Sequence, residues 1–242
     1  MTEEITITIL DYLMIFLIVM VYVVRNFFRH RAMSERMDAG EEGILLREYN
    51  DTLIILWGGT VLIMAVWFWS GRTLQELGIY FDVSTANLIG WAFVAVISLL
   101  LVAQVAQITR NPDAAETIRN HLKGEPGMLR IMPKTPREYS RFRLLSITAG
   151  ITEEIIFRGY LIWVFSIWLP VWWAALCALA IFVGAHLYQE SVRSLVKVAA
   201  VGAALTVLYV LSGSLLTTIV LHAVIDLTSG ASVWRAMRQI NA

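Results

Sequence analysis

Long apolar runs separated by polar segments dominate the sequence. Each run approaches the ~20 apolar residues that a helix needs to cross a lipid bilayer. A helix satisfies its own backbone hydrogen bonds in lipid, so this pattern predicts an all-α, polytopic membrane helix bundle of about seven transmembrane helices. The seven predicted spans are residues 5–24, 53–69, 88–108, 144–165, 171–188, 195–211 and 215–230.

The polar segments between the runs carry most of the basic residues and predict the orientation of the bundle. Residues 25–50 are predicted to be a charged linker that is able to form an amphipathic helix along the surface, and residues 109–143 a loop with short surface helices. Placing both in the cytoplasm satisfies the positive-inside rule, with the N-terminus out and the C-terminus in. Arg72 then lies on the outer side, and Asp11 is expected at the outer interface rather than in a site.

Composition agrees with a membrane protein. The 242 residues are 58% hydrophobic and only 16% charged, with a mean hydropathy of +0.67. The formal net charge is zero, and no nucleic-acid partner is expected. A single cysteine, Cys177, excludes an intramolecular disulfide and a cysteine-based metal cluster.

The fourth span contains the ionisable residues with the clearest chemical meaning. Glu153, Glu154 and Arg158 lie within an apolar run, where ionisable groups are costly and normally face partners or a functional site. Helical spacing places Glu154 and Arg158 on one face, with the acid N-terminal to the base. Glu153 points about 100° away from its neighbour and has no local cation. The pattern predicts that Glu154 is held in place and that Glu153 is free to react.

Two of the four histidines lie in predicted spans. His186 closes the fifth span, and His222 lies four residues before Asp226 in the seventh, on the same helical face. His30 and His121 lie in basic polar segments and are interpreted as solvated surface side chains. The intramembrane groups are expected to meet in the cytoplasmic half of the bilayer, either as a site or as a purely structural polar network.

These residue types support two routes to amide hydrolysis. A glutamate with a histidine can bind and deprotonate water, and a further histidine or polar side chain can stabilise the resulting oxyanion. Alternatively, zinc can be held by Glu153, His186, His222 and Asp226 with one position open for water. The residues alone do not choose between a metal-free site and a zinc site.

Motifs of other intramembrane protease chemistries are missing from the sequence. No two histidines have the spacing of a His-Glu-x-x-His zinc motif, and no Gly-x-Gly-Asp aspartyl motif occurs. Ser212 and Ser214 flank Gly213 between the sixth and seventh spans, where turn serines are a better interpretation than nucleophiles.

In these motifs the chain resembles the CPBP intramembrane proteases, also called the CaaX-protease or Abi family. The Glu-Glu-x-x-x-Arg motif matches Glu153, Glu154 and Arg158. The Phe-x-x-x-His motif matches Phe182 and His186, and His222 with Asp226 matches the third motif, in which asparagine is commonest. An ionised aspartate cannot donate to an oxyanion, so Asp226 instead favours a role in orienting His222 or binding a metal.

The resemblance implies a role for each residue of the site. Glu153 becomes the general base and His186 helps to hold the water, while Glu154 and Arg158 support the position of Glu153. His222 and Asp226 bind the metal or stabilise the tetrahedral intermediate.

The resemblance also implies a domain division and a substrate class. Residues 1–143 form N-terminal membrane helices with cytoplasmic linkers, residues 144–230 the catalytic core, and residues 231–242 a cytoplasmic tail. The expected substrate is a membrane-anchored or membrane-presented peptide or lipidated protein, cleaved near the cytoplasmic face of a prokaryotic plasma membrane.

Two other functions stay open at this point. Intramembrane acids and histidines also serve as proton relays in transporters, although transporters usually show internal repeats, and no second Glu-Glu-x-x-x-Arg segment occurs. A non-catalytic membrane scaffold using the same polar network is the other alternative.

Overall fold

The computed structural model describes residues 7–189 and 191–238. The start of the first predicted span, residues 5–6, and the end of the predicted tail, residues 239–242, lie outside this part of the chain. Within it the protein is all helical and has no strand, as the apolar pattern predicts. Its helices are α1 (Ile9–Asp38), α2 (Ile44–Trp69), α3 (Thr85–Arg110), α4 (Pro112–Lys123), α5 (Pro126–Ile131), α6 (136–165), α7 (Val171–Gly184), α8 (Val192–Ser212) and α9 (Leu215–Arg238).

Six of the described helices are long and apolar enough to cross a membrane: α1, α2, α3, α7 with the short turn after it, α8 and α9. The fourth predicted span is helical too, but every 18-residue stretch of residues 144–165 contains Glu153, Glu154 and Arg158. Glu154 and Arg158 are buried inside the bundle, and Glu153 faces an internal cavity. Helix α6 is therefore central to the fold although its composition is the least typical of a span.

Several helices extend well beyond the predicted spans, and the predicted linker, residues 25–50, is helical except between Asp38 and Ile44. Helix α1 continues to Asp38 and ends before Gly40, which has a positive φ of 79°. Helix α2 already begins at Ile44. The apolar run marks where the chain meets lipid, whereas capping residues and glycine determine where the helix ends.

Local capping also explains why α6 begins at Pro136, eight residues before the predicted span. Pro136 occupies the first turn, where its missing N–H costs nothing. The Thr135 hydroxyl accepts from the Glu138 amide at 3.2 Å, and the Glu138 carboxylate accepts from the Thr135 amide at 2.9 Å. This reciprocal capping box satisfies two amides that would otherwise lack partners.

Helices α6 and α9 cross closely because each presents a glycine to the other. A Cβ on Gly150 of α6 would lie 2.8 Å from the backbone nitrogen of Ala223 in α9. A Cβ on Gly230 of α9 would lie 2.2 Å from the Phe142 ring of α6. Small residues at such crossings allow helix backbones to approach in lipid, and this approach brings α9 against the acidic segment of α6.

The end of the bundle opposite the long polar segments contains a buried ion pair that includes Asp11, the residue expected at the outer interface. Both carboxylate oxygens of Asp11 accept from the Arg72 guanidinium at 2.7 Å, and Tyr160 donates to Asp11 at 3.0 Å. Asp11 is completely buried and Arg72 nearly so. A bidentate pair with additional donors is the arrangement in which a buried carboxylate is tolerated, and here it joins the 70–84 connection to α1 and α6.

Candidate functional site

The acidic segment of α6 lies at a change of helix type. Glu153 ends the α-helical part, and residues Glu154–Leu161 form a π-helical turn whose side chains are all buried. Such π segments are rare and are frequently found at functional sites. The wider turn places Glu154 and Arg158 behind Glu153, inside the protein.

Arg158 is buried and makes contacts with three helices. Its Nη1 donates to Glu154 Oε1 at 2.9 Å and its Nη2 to the Gly202 carbonyl of α8 at 3.1 Å. The guanidinium lies 4.2 Å from the centre of the Phe182 ring of α7. The pairing of Glu154 with Arg158 predicted from their spacing is therefore present, and it also connects α6 to α7 and α8.

His222 of α9 lies among three carboxylates. Its Nδ1 is 2.7 Å from Glu154 Oε1, the oxygen that also accepts from Arg158. Its Nε2 is 4.0 Å from Glu153 Oε2 and 3.7 Å from Asp226 Oδ2. A carboxylate accepts, so Nδ1 is the donor and Glu154 fixes the orientation of the ring. The Nε2 edge then faces the two remaining carboxylates.

His186 is oriented by its own helix. Its Nδ1 is 2.8 Å from the Phe182 carbonyl oxygen, which can only accept, so Nδ1 carries the proton. The two rings lie 4.6 Å apart, centre to centre. In the neutral ring Nε2 therefore has a free lone pair. Phe182 thus contacts His186 and Arg158 in addition to packing in the core.

A cavity of about 530 Å³ joins these groups. Glu153, His186, His222 and Asp226 all line it, whereas Glu154 and Arg158 lie behind its wall. Helices α1, α2 and α6 to α9 contribute to its walls together with the segment around α5. Side chains from three helices that are distant in sequence thus open onto one space large enough for a water molecule and part of a peptide.

The cavity also contains residues that the sequence pattern did not indicate. His30 is only 7% exposed and its ring lies 5.1 Å from that of Tyr188, so its interpretation as a solvated side chain is wrong. Tyr22 and Arg25 of α1 line the same cavity. These residues could have been found only from the length of α1. Because the helix continues to Asp38, polar residues beyond the predicted span also line the cavity.

A polar cluster lies where the α4–α5 segment meets α8, at the edge of the cavity. The buried Glu125 carboxylate accepts from Ser194 Oγ at 2.5 Å and Lys197 Nζ at 2.7 Å, and His121 Nε2 is 3.1 Å away. Burial opposes ionisation of Glu125, but the hydrogen bonds from Lys197 and Ser194, with the nearby charges, outweigh it and hold its pKa below the usual range. The half-exposed His121 thus forms part of this cluster rather than being merely solvated.

The predicted zinc ligands are more widely spaced than a zinc shell requires. Zinc ligands lie about 2.0–2.2 Å from the ion, which places neighbouring ligand atoms roughly 3–3.5 Å apart. The distances of 3.7 and 4.0 Å from His222 Nε2 exceed this range. Among residues 7–189 and 191–238, no three His, Cys, Asp or Glu side chains form a group that fits a metal ion. Zinc binding stays a prediction.

Comparison with known proteins identifies the segment that contains the site. Residues 136–228 match the family model described as Rce1-like, the Type II CAAX prenyl endopeptidase Rce1-like family. No curated protein and no solved structure matches the chain. The matched segment begins at the first residue of α6 and includes all six site residues predicted from the sequence, whereas α1, α2 and α3 lie outside it. The match confirms the resemblance to the CPBP family and supports an intramembrane protease.

Proposed function

Taking residues 136–228 as an Rce1-like domain, we propose that this integral membrane protein is an endopeptidase that hydrolyses a peptide bond with a water molecule activated by Glu153. The observation that carries the proposal is the shared cavity, onto which Glu153, His186, His222 and Asp226 all open. Glu153 makes no hydrogen bond to any described residue, and the nearest group that can carry a positive charge is His222 Nε2, 4.0 Å from Glu153 Oε2. It is therefore available to a water molecule.

The chemistry follows from the side chains at the cavity. Glu153 takes a proton from water as the oxygen attacks the substrate carbonyl, and the carbonyl π electrons move onto its oxygen. The C–N bond of the tetrahedral intermediate then breaks, and Glu153 returns the proton to the departing nitrogen. One water is consumed, and the products are a carboxylic acid and an amine.

Glu154 and Arg158 hold this machinery in place. Glu154 accepts hydrogen bonds from both Arg158 and His222 through one oxygen, so it holds these two side chains in position. Arg158 offsets the Glu154 charge inside the protein and anchors it to the Gly202 carbonyl. Neither side chain lines the cavity, and both act through His222 and the shape of α6.

The oxyanion requires a donor, and His222 is placed to provide one. His222 faces the cavity with Nε2, which donates when the ring carries both protons. Asp226 lies 3.7 Å from the same nitrogen and can accept from it, so we assign Asp226 to the orientation of His222. His186 presents an Nε2 lone pair, which suits it to accept a hydrogen bond from the attacking water.

The proposed substrate is a peptide segment of a membrane-anchored or membrane-presented protein, cleaved near the cytoplasmic face of a prokaryotic plasma membrane. The basic polar segments and the cavity edge near α4 and α5 support this orientation, because basic loops favour the cytoplasm. The predominantly apolar lining, with Met33, Met128 and Met132, suits apolar side chains or a lipid group beside the peptide.

The test is the substitution Glu153→Gln in the full-length protein, with Glu116→Gln on the exposed face of α4 as the matched control. Glutamine keeps the size of the side chain but cannot accept the proton. We expect peptides cleaved by the wild type and by Glu116→Gln to accumulate uncleaved with Glu153→Gln, while thermal unfolding in detergent stays the same. Equal cleavage by all three proteins would contradict the role of Glu153.

The alternative functions and the metal are separated by two further measurements. Substrate flux into sealed vesicles without any cleavage would identify a transporter, and partner binding retained in Glu153→Gln without any wild-type cleavage would identify a scaffold. Metal analysis of the purified protein before and after chelation tests zinc directly. If one equivalent of zinc restores cleavage by the chelated enzyme, the proposed site includes a zinc ion.

A further inference from the structure

Arg25 lies on the wall of the same cavity, at the end of the π-helical turn Val19–Arg25 of α1. The residue as a whole is half-buried, but its Nη1 atom is fully buried. Among the described residues, this atom has no hydrogen-bond partner and no carboxylate forms an ion pair with the guanidinium. Long basic side chains near helix ends usually reach water, but a nitrogen buried by protein atoms does not. Arg25 directly follows the first predicted span, residues 5–24, and faces the cavity with a buried nitrogen that no described residue satisfies. Buried polar groups are normally hydrogen-bonded, so this nitrogen marks a candidate binding position.

The neighbouring charges show that the protein itself does not compensate Arg25. Glu48 accepts from Arg29 at 2.8 and 3.1 Å, and Asp51 accepts from Arg29 as well. Arg158 is paired with Glu154. Arg29 thus uses the two acidic side chains of α2 that lie beside it, and no described acidic residue forms an ion pair with Arg25.

We propose that Arg25 binds a carboxylate of the peptide that occupies the cavity, so that it selects substrates with an acidic group near the cleaved bond. The inference rests on the proposed function and extends it to a residue outside the family match, which begins at residue 136. A planar guanidinium pairs with a carboxylate through two parallel hydrogen bonds, which gives both affinity and orientation. The carboxylate belongs either to the C-terminus of the peptide or to an Asp or Glu side chain.

Recognition at Arg25 would also fix the position of the peptide relative to Glu153. The two residues lie on helices α1 and α6, which face each other through the Tyr22 and Phe157 rings at 6.1 Å. A peptide held by its carboxylate on the α1 wall then presents its carbonyl groups to the opposite wall. Binding energy from a group remote from the reaction is thereby used for orientation.

The experiment uses the full-length protein in lipid nanodiscs and one fluorogenic peptide that the wild type cleaves. This peptide is synthesised with a free C-terminus, with a C-terminal amide, and with its acidic side chains replaced by Asn or Gln. The variants are Arg25→Gln and Arg25→Lys, and the control is Arg31→Gln. Arg31 lies in the same helix, but its side chain is 73% exposed and pairs only with Glu35 at 3.4 Å.

For the peptide with the recognised carboxylate, we expect Arg25→Gln to raise KM about 10- to 100-fold with little change in kcat, the loss typical of one hydrogen bond to a charged group. Arg25→Lys should lie between Gln and wild type, because it keeps the charge without the planar fork. The peptide form that lacks this carboxylate should be a poor substrate for the wild type. For this form, Arg25→Gln should not raise KM further. A loss with the C-terminal amide identifies the carboxylate as the C-terminus, and a loss with the Asn or Gln peptide identifies it as an acidic side chain.

Two results would overturn the proposal. One is an Arg25→Gln protein with the same KM as Arg31→Gln, and the other is an equal loss on all three peptide forms. If KM is unchanged but Arg25→Gln nanodiscs lose bound anionic lipid, the proposal is also overturned. Arg25 would then bind a lipid headgroup instead of the peptide.

A binding measurement keeps this test separate from the proposed function. Fluorescence anisotropy of the labelled peptide is measured with Glu153→Gln alone and with Glu153→Gln combined with Arg25→Gln. Weaker binding by the double variant supports Arg25 even where no cleavage occurs, and equal binding contradicts it. Absence of wild-type cleavage, by contrast, contradicts only the endopeptidase.

Discussion

The close crossing of α6 and α9 makes Gly150→Ala the most informative single substitution. The added Cβ would lie 2.8 Å from the backbone nitrogen of Ala223, 2.9 Å from its Cβ and 3.0 Å from its Cα. Carbon atoms in comfortable contact lie about 3.5–4.0 Å apart, so the two helices must separate by roughly 1 Å. A backbone atom cannot move aside as the end of a flexible side chain does. Because His222 directly precedes Ala223, the separation of the helices moves His222 away from α6.

The consequence for the site can be worked out from one distance. His222 Nδ1 lies 2.7 Å from Glu154 Oε1, and a 1 Å separation would take this contact to about 3.7 Å, beyond a hydrogen bond. Misplacement of a catalytic group by about 1 Å can cost on the order of 100-fold in rate. Stability should change less: overpacking costs about 1–3 kcal/mol, and replacing a helical glycine by alanine returns about 0.5–1 kcal/mol.

The assay compares kcat for peptide cleavage and the midpoint of thermal unfolding in detergent, with Gly58→Ala as the control. Gly58 is also helical, but no atom lies within 4 Å of the position of its Cβ. We expect Gly150→Ala to lose about 100-fold in kcat while the folded protein persists. Gly58→Ala should keep its activity and become slightly more stable. A Gly150→Ala protein that behaves like Gly58→Ala would refute the argument that this contact positions His222.

Three further substitutions test the charges outside the reacting group. Arg158→Met leaves the Glu154 charge buried without its guanidinium, and should lower the free energy of unfolding by about 3–5 kcal/mol in denaturant titrations. Asp11→Asn removes the carboxylate charge from the buried Asp11–Arg72 pair at the opposite end of the bundle. A similar loss of stability is expected, with cleavage per folded molecule unchanged. Glu125 has a lowered pKa in the folded protein, so its stabilising effect is present above its unfolded pKa of about 4.3 and disappears as the pH falls through the folded value. Thermal unfolding of Glu125→Gln should therefore depend less on pH in this acid range than that of the wild type, and parallel curves would contradict this assignment.

The helical architecture was predictable because the lipid constraint acts on short stretches of sequence. An apolar run must form a helix to satisfy its backbone, and its length alone indicates a crossing. The ends of the helices were not predictable from the same signal. Residues 25–38 continue α1 because nothing breaks the helix before Gly40, and polar residues are compatible with a helix that leaves the membrane.

The local part of the site was predictable from spacing, and the distant part was not. Four-residue spacing places Glu154 beside Arg158 within one helix, and this contact is present at 2.9 Å. The contact between Glu154 and His222 joins residues 68 apart, and depends on how closely α6 and α9 approach. His30 could not be assigned to the cavity because its position depends on the packing of α1 against α7. The π-helical turn at Glu154 has no sequence signal that the spacing rules use.

Once the partners of each charged side chain are known, charges that stabilise the fold can be distinguished from charges that act on a ligand. An ionisable side chain inside the membrane requires compensation, and Asp11 with Arg72 obtains it fully within the protein. Such a pair stabilises the fold and leaves nothing for a ligand. Glu153 and Arg25 lack a close partner among the described residues, and both open onto the cavity. The two proposals assign their compensation to the molecules that enter the cavity: water for the carboxylate, and an anionic group for the guanidinium.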